Sequence, residues 1–366
     1  MKASEIVQLM NQWAKPYLID EWDNTGFQLG DLEKDVNKII VALDLDRKVL
    51  EEAIKEKAEM IITHHPLIFK PLKAIRKQKY KESLIIDLIK EDIVVYNAHT
   101  NLDLATNGVN DVLAEVLGLK NAQPLKVTYE EALYKFVVFV PKSHAKLIRE
   151  VLGNEGAGFI GNYSHCTYNI EGTGTFMPLE GTSPYIGELN KLEEVEEVRI
   201  ETVVEKKDLK RIVSKVLENH PYEEVAYDIY PLDNKGKSYG YGRIGEIDKT
   251  KLSIYLDFVK RQLNVDSLIV YGDVEKEITK VAVCGGSGAT FIVDAYSKGA
   301  DVYITGDVKY HDSQYANELG LTIVDAGHFN TEKVILPAIK KYIEERTGKA
   351  VSVKIYEKSS PLRVFY

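Results

Sequence analysis

Short runs rich in Ile and Val alternate with helical stretches in two separate parts of this chain, and the two parts are written alike. In the first, residues 38–45, 59–63 and 93–97 read as strands, with helices expected at 47–57 and 81–89. In the second, 280–284, 301–305 and 321–325 read as strands, with helices at 289–298 and 314–319. Unbroken branched-aliphatic runs suit strands buried on both faces, and linking them through helices gives βαβ units with a mostly parallel sheet. The likeness reaches single residues. Thr63-His64-His65 corresponds to Thr305-Gly306-Asp307, and Ala98-His99-Thr100-Asn101 to Gly327-His328-Phe329-Asn330. We read this as one structural unit used twice, because polar residues stand at corresponding strand ends in both copies.

The segment between them has another character. Strands are expected at 135–140, 164–176, 196–204 and 225–230, with helices at 143–151 and 207–218. Two successive β-α-β units make a ferredoxin-like domain, inserted in sequence into the main one. The expected division is 1–126 and 233–366 as the two halves of the main domain, and 127–232 as the insertion. A chain of 366 residues is long enough for two or three compact units.

Bulk charge narrows the partners. A formal charge of −9 with a pI near 5.5 argues against a general nucleic-acid or anionic-membrane binder, since both need clustered Lys and Arg. Cys166 and Cys284 are too few for a disulfide framework or a thiolate zinc site, so a reducing compartment and nitrogen/oxygen metal ligands are expected. The N-terminus reads as an amphipathic helix capped by Ser4, with Ile6, Leu9, Met10 and Trp13 at helical spacing, and not as a signal peptide. No run approaches the length of a membrane span. The cytoplasm is the expected location.

In open α/β sheets ligands collect beyond the carboxyl ends of the strands. Here those ends carry His64 and His65 after one strand, His99 and Asp103 after the next, and His328 and Glu332 in the second copy. Adjacent imidazoles at a strand end can converge where the chain leaves the pleat, although a His pair in a surface turn would read the same. Asn330 is a suitable N-cap, placing Glu332 in a first helical turn, where a carboxylate also complements the helix dipole. Collectively the imidazoles and carboxylates suit Zn, Mn or Fe. Two cations roughly 3.5–4 Å apart would share a bridging group. We read His99 as a proton carrier or as a residue that orients ligands. His311 fits either the same cleft or a surface helix start, and His144, His165 and His220 receive no role. The loop Cys284-Gly285-Gly286-Ser287-Gly288 could cradle an anion or serve only tight packing, and residues 22–31 read as a loop able to wall a cleft.

With these residues in place, the chain resembles the GTP cyclohydrolase I type 2 homolog family, also called the NIF-three-like (NGG-interacting-factor-like) proteins. The matching motifs are residues 22–31, Ile62-Thr63-His64-His65-Pro66, Asn97-Ala98-His99-Thr100-Asn101-Leu102-Asp103, Gly242-Arg243-Ile244-Gly245, Ile304-Thr305-Gly306-Asp307, and Gly327-His328 with Glu332. The resemblance implies an α/β (α+β) fold of two similar βα units with a CutA/PII-like insertion. It implies a dinuclear centre of two divalent ions (Zn, Fe or Mn) held by His64, His65, Asp103, His328 and Glu332. It also implies a ring-shaped homo-oligomer, commonly a hexamer. The activity that follows is a metal-dependent hydrolase acting on a nucleotide-like substrate, GTP cyclohydrolase-like, with His99 moving a proton. The rival expectation is a non-catalytic ring protein for metal binding, delivery or regulation, whose inserted domain senses a small ligand. Membranes are not expected partners, and nucleic acid is disfavoured by charge.

Overall fold

The computed structural model describes residues 1–358; residues 359–366, the end of the 233–366 segment, lie outside the described residues. The strands in chain order are β1 (Gly26–Leu29), β2 (Lys38–Ala42), β3 (Met60–Thr63), β4 (Val94–Asn97), β5 (Lys120–Pro141), β6 (Thr167–Phe176), β7 (Glu193–Glu205), β8 (Tyr227–Lys251), β9 (Ile269–Tyr271), β10 (Glu277–Val283), β11 (Val302–Thr305), β12 (Thr322–Asp325) and β13 (Ser352–Ile355). They divide between two compact units, one of Met1–Tyr129 with the chain from Tyr239 onward, the other Glu130–Ser238.

The first unit carries the repeated grammar as two sheet cores. One runs β1-β4-β3-β2-β13, with β4, β3, β2 and β13 parallel and β1 antiparallel at the edge. The other runs β9-β12-β11-β10-β8, with β12, β11 and β10 parallel and both flanking strands antiparallel. Strand for strand, β2, β3 and β4 match β10, β11 and β12. Residues on both faces of these strands are buried, as the unbroken aliphatic runs require. Ile39, Val41, Met60, Ile62, Val94 and Tyr96 pack with the helices Ala3–Trp13 and Ile335–Arg346. Ile40, Ile61 and Val95 meet Leu50, Ala53, Leu84 and Leu88 of the helices Arg47–Glu56 and Tyr80–Lys90 on the opposite side. Each fully buried Ile or Leu contributes roughly 1.5–3 kcal/mol.

The halves interlock. The helix Val109–Val116, which closes the first copy, packs Leu113 and Ala114 on Val281 and Val283 of the second sheet. The helix Ile335–Arg346 and β13, which close the second copy, pack and pair on the first sheet.

The second unit has the order β-α-β-β-α-β, with strands neighbouring as β6-β7-β5-β8 and the helices Ala145–Asn154 and Lys206–Asn219 packed on Phe136, Val138 and Ile200. Strands β5 and β8 run well past their expected bounds of 135–140 and 225–230. The cause is a close approach: a Cβ on Gly240 would sit 1.9 Å from the Lys126 carbonyl oxygen, so glycine there lets the backbones pair. The N-terminal helix begins at Ala3 with Lys2, not Ser4, as its cap, because Glu5 accepts the Lys2 N–H at 2.6 Å. Among the described residues no helix is long and apolar enough to cross a membrane.

Candidate metal centre

The site forms where β3, β4, β11 and β12 end. After β3 the chain stays bonded to the extension of β2, with the His64 and His65 N–H groups donating to the carbonyls of Ala42 and Leu43. This holds the two rings on the same side, 5.0 Å apart between centroids. After β4, His99 precedes the short helix Thr100–Leu104, and Asp103 lies one turn later. After β12, the helix His328–Glu332 starts two residues before the expected Asn330 cap. Gly327, at φ 86°, makes the turn that a side chain would resist, and Asn330 instead donates to the Ala326 carbonyl at 2.9 Å. His99 with Asp103 and His328 with Glu332 are therefore equivalent i, i+4 pairs on one helix face.

Every imidazole here is tethered through Nδ1. His64 bonds the Ala98 carbonyl at 2.8 Å, His65 bonds Asp44 at 2.9 Å, His99 bonds Asp23 at 2.9 Å, and His328 bonds Asp307 at 2.7 Å. Such partners fix ring orientation and tautomer and leave Nε2 as the ligating atom. The His64 Nε2 lies 3.5 Å from Asp103 Oδ1 and 3.7 Å from Glu332 Oε1. Glu332 Oε2 lies 3.0 Å from His65 Nε2 and 3.1 Å from His328 Nε2, and those two nitrogens are 3.2 Å apart. Three of the buried atoms, His64 Nε2, Asp103 Oδ1 and Glu332 Oε2, have no aligned hydrogen-bond partner. Orphaned polar atoms of this kind are costly unless something else satisfies them. Three overlapping triads, His64/His65/His99, His65/His328/Glu332 and His64/Asp103/Glu332, each bring their ligand atoms within 4.8 Å of one another. The donor set fits divalent ions.

Electrostatics describes the metal-free cluster. Burial keeps His64 below its usual value. Burial also works to lower His65, but Asp44 and Glu332 outweigh it and carry the ring up to about 10. For His328 burial is likewise outweighed by Glu332 and Asp307, reaching about 9. Burial and then the Glu332 charge raise Asp103. Glu332 is held well below the usual range, against burial, by His64, His328 and His65. Without metal, protons on His65 and His328 thus balance the buried carboxylates. A raised imidazole stabilises the folded state in full below its usual 6.5 and loses that contribution as pH climbs through 9 to 10. Metal-free protein is therefore expected to lose stability between about pH 7 and pH 10. Urea unfolding across that range checks it, and a flat or rising stability would contradict it.

The loop Cys284-Gly285-Gly286-Ser287-Gly288 is a packing element. The Gly285, Gly286 and Gly288 N–H groups donate to Asn110, Thr331 and Thr305 and are not free to bind an anion. Gly286 has φ +66°, and a Cβ on it would fall 2.1 Å from Glu332 Oε1. Gly286→Ala should therefore displace the Glu332 carboxylate, weaken metal binding about tenfold or more, and cost about 1–2 kcal/mol. Metal titration and urea unfolding read both effects; wild-type values in both would show that the loop yields.

Each sequence-expected residue, His64, His65, His99, Asp103, His328 and Glu332, lies in this cluster. His311 lies apart, at the start of the helix Tyr310–Glu318, with Nδ1 3.5 Å from Gln314. The tethers Asp44, Asp307 and Asp23 escaped assignment by residue type, since a carboxylate after a strand looks like any loop residue. Their only signals were the motif stretches holding Asp23 and Asp307. Asp23 accepts from Thr25, Thr100 and His99, and these bonds hold it well below the usual carboxylate range against burial. Beside it, exposed Trp22 lies 6.1 Å from the His99 ring and 6.0 Å from Phe69.

Comparison with known proteins identifies the family of the chain. The family model described as Duf34/NIF3 (NGG1p interacting factor 3) matches residues 1–361. A Halalkalibacterium halodurans protein named GTP cyclohydrolase 1 type 2 homolog is 46% identical over 341 residues, spanning 93% of this chain and 91% of the relative. A Bacillus subtilis protein of the same name is 43% identical over 342 residues, with 93% and 91% spanned. Among solved structures, a Bacillus cereus protein related to NIF3 superposes with a TM-score of 0.92 at 45% identity, over 100% of this chain and 99% of that one. A Staphylococcus aureus protein gives 0.80 at 28%, again over 100% and 99%. The chain belongs to the Duf34/NIF3 (NGG1p interacting factor 3) family.

Proposed function

We propose that this protein is a dinuclear metal-dependent hydrolase acting on a nucleotide-like substrate. The observation that carries the reading is the convergence of three Nδ1-tethered imidazoles, His64, His65 and His328, on two buried carboxylates, one oxygen of each lacking a partner, with a fourth tethered imidazole, His99, beside them. His64, His65, Asp103, His328 and Glu332 would hold the two ions, Glu332 lying among three imidazoles. Divalent ions there would supply Lewis acidity, making water a better nucleophile near neutral pH and offsetting negative charge as it develops.

The remaining steps belong to the chain. Asp23 holds the His99 Nδ1 proton, which leaves Nε2 to accept a proton from water and pass it to a leaving group. Trp22 and Phe69 offer exposed aromatic faces next to His99, suited to a planar base. The names of the relatives point to GTP, and the corresponding hydrolysis uses one water to open the guanine imidazole ring at C8, breaking the C8–N9 bond, and a second to cleave the resulting formamide and release formate. Metal-loaded protein is expected to release formate from GTP, and His65→Ala to abolish the release. Absence of turnover on GTP and on a panel of nucleotides and phosphoesters, beside reversible tight metal exchange, would replace this reading with metal storage or delivery.

The same reading includes self-assembly into a hexameric ring, carried by the motif resemblance, and a cytoplasmic location, carried by the low cysteine content. Light scattering tests the first, and a monomer mass would remove it. The β-α-β-β-α-β order of residues 130–238 supports a ferredoxin-like, CutA/PII-like insertion.

A further inference from the structure

The inserted unit contains a cavity of about 460 Å³ that the proposed reaction does not use. It lies between the end of β6, the loop after it, and the segment following the helix Lys206–Asn219. Its volume falls in the range of small-molecule sites. Phe176, Tyr185 and Tyr222 form an aromatic wall, with ring centroids 5.8 Å apart for Phe176 and Tyr222 and 6.4 Å for Tyr185 and Tyr222. These rings meet at angles of 63° and 52°, so they enclose a corner and do not stack flat. The charged part of the lining is acidic: Glu197, Glu223 and Glu224, with no lysine, arginine or histidine.

We infer that this cavity binds an organic ammonium ion carried on an apolar body. Aromatic rings in a cavity lining offer negative quadrupole density, which is how ammonium groups are held by rings. The carboxylates add charge of the right sign at the same place. Two of them are fixed in position. Glu197 accepts from the Tyr222 hydroxyl at 3.0 Å, and Glu223 accepts from the Ser183 N–H at 2.9 Å. Tyr222 is itself braced by His220, whose ring lies 5.2 Å away and bonds the Phe139 carbonyl and the Tyr222 N–H. The guanidinium on the same strand, Arg199, lies over the Phe139 ring at 5.8 Å and pairs with Glu201 at 2.9 Å, not with the lining glutamates. An anion such as a nucleotide would meet three carboxylates and no cation. The cavity therefore selects a ligand of opposite charge to the proposed substrate of the metal centre.

Isothermal titration of the full chain with benzyltrimethylammonium tests this, because that cation has no lone pair and cannot ligate a metal. Benzyl alcohol and 3-phenylpropanoate provide the neutral and anionic comparisons. Saturable binding of one cation per chain is expected, about tenfold or more tighter than either comparison. Glu197→Gln, which keeps the size of the side chain and can still accept from Tyr222, and Tyr222→Leu should each weaken it about tenfold. Circular dichroism establishes that both variants remain folded. Binding of 3-phenylpropanoate as tight as that of the cation would overturn the assignment. So would no cation binding up to millimolar concentration, or cation binding unchanged in the folded Glu197→Gln variant.

Discussion

Glu332→Ala is expected to strip the protein of tightly bound divalent metal, with affinity falling by more than about a hundredfold. Residues that merely orient ligands cost roughly 10–100-fold when removed, and Glu332 stands at the centre of what they orient. Its oxygens lie within 3.0–3.7 Å of His65, His328 and His64, and it belongs to two of the three triads. Removing it also removes the charge that raises His65 and His328. The rings would then gather around a buried space with only Asp103 left to offset bound cations. Chelator competition followed by elemental analysis measures the loss. Retention of metal at wild-type affinity would move the centre away from Glu332.

The second large effect separates holding metal from using it. His99→Ala should lower the turnover of metal-loaded protein by about 10²–10⁴-fold while leaving metal content unchanged. His99 shares a triad with His64 and His65, but its Nδ1 is bound to Asp23, the carboxylate beside the aromatic rim. Asp23→Asn should reproduce part of the loss, because an amide no longer fixes the tautomer that leaves Nε2 free to accept a proton. A fall in metal content together with rate would make His99 a ligand. An unchanged rate would remove it from the reaction.

Much of this molecule was legible in the sequence because burial on both faces writes itself as unbroken Ile and Val. The runs at β2, β3, β4, β10, β11 and β12 needed no context to be recognised. The edge strands β1, β9 and β13 are short and half-exposed, and their identity depends on partners distant in the chain. The far part of β8 reads as polar exit sequence until the approach of β5 at Gly240 explains it. At the site, residue type marked the imidazoles and carboxylates, and the repeat placed His99 opposite His328. Spacing misled at Asn330, where a good capping residue lies inside a helix that Gly327 had already begun. The tethers were hidden for a different reason: an aspartate's task as orienter is defined only by the ring it faces.

The pairing of β13 with β2 bears on the order in which the molecule can be completed. As the chain leaves the ribosome, β2, β3 and β4 emerge before the second copy, while the strand that covers the free edge of β2 is made only after that copy. Lys354, which clamps β13 to Glu52 and Glu56, is separated from Glu52 by 302 residues. Until then the nascent first half carries a bare hydrophobic edge, the kind of surface that invites mispairing and chaperone contact. It also presents His64, His65 and His99 without Glu332. Ion capture by the complete donor set thus waits for the second copy, and the joined halves, not the first half alone, select what is held.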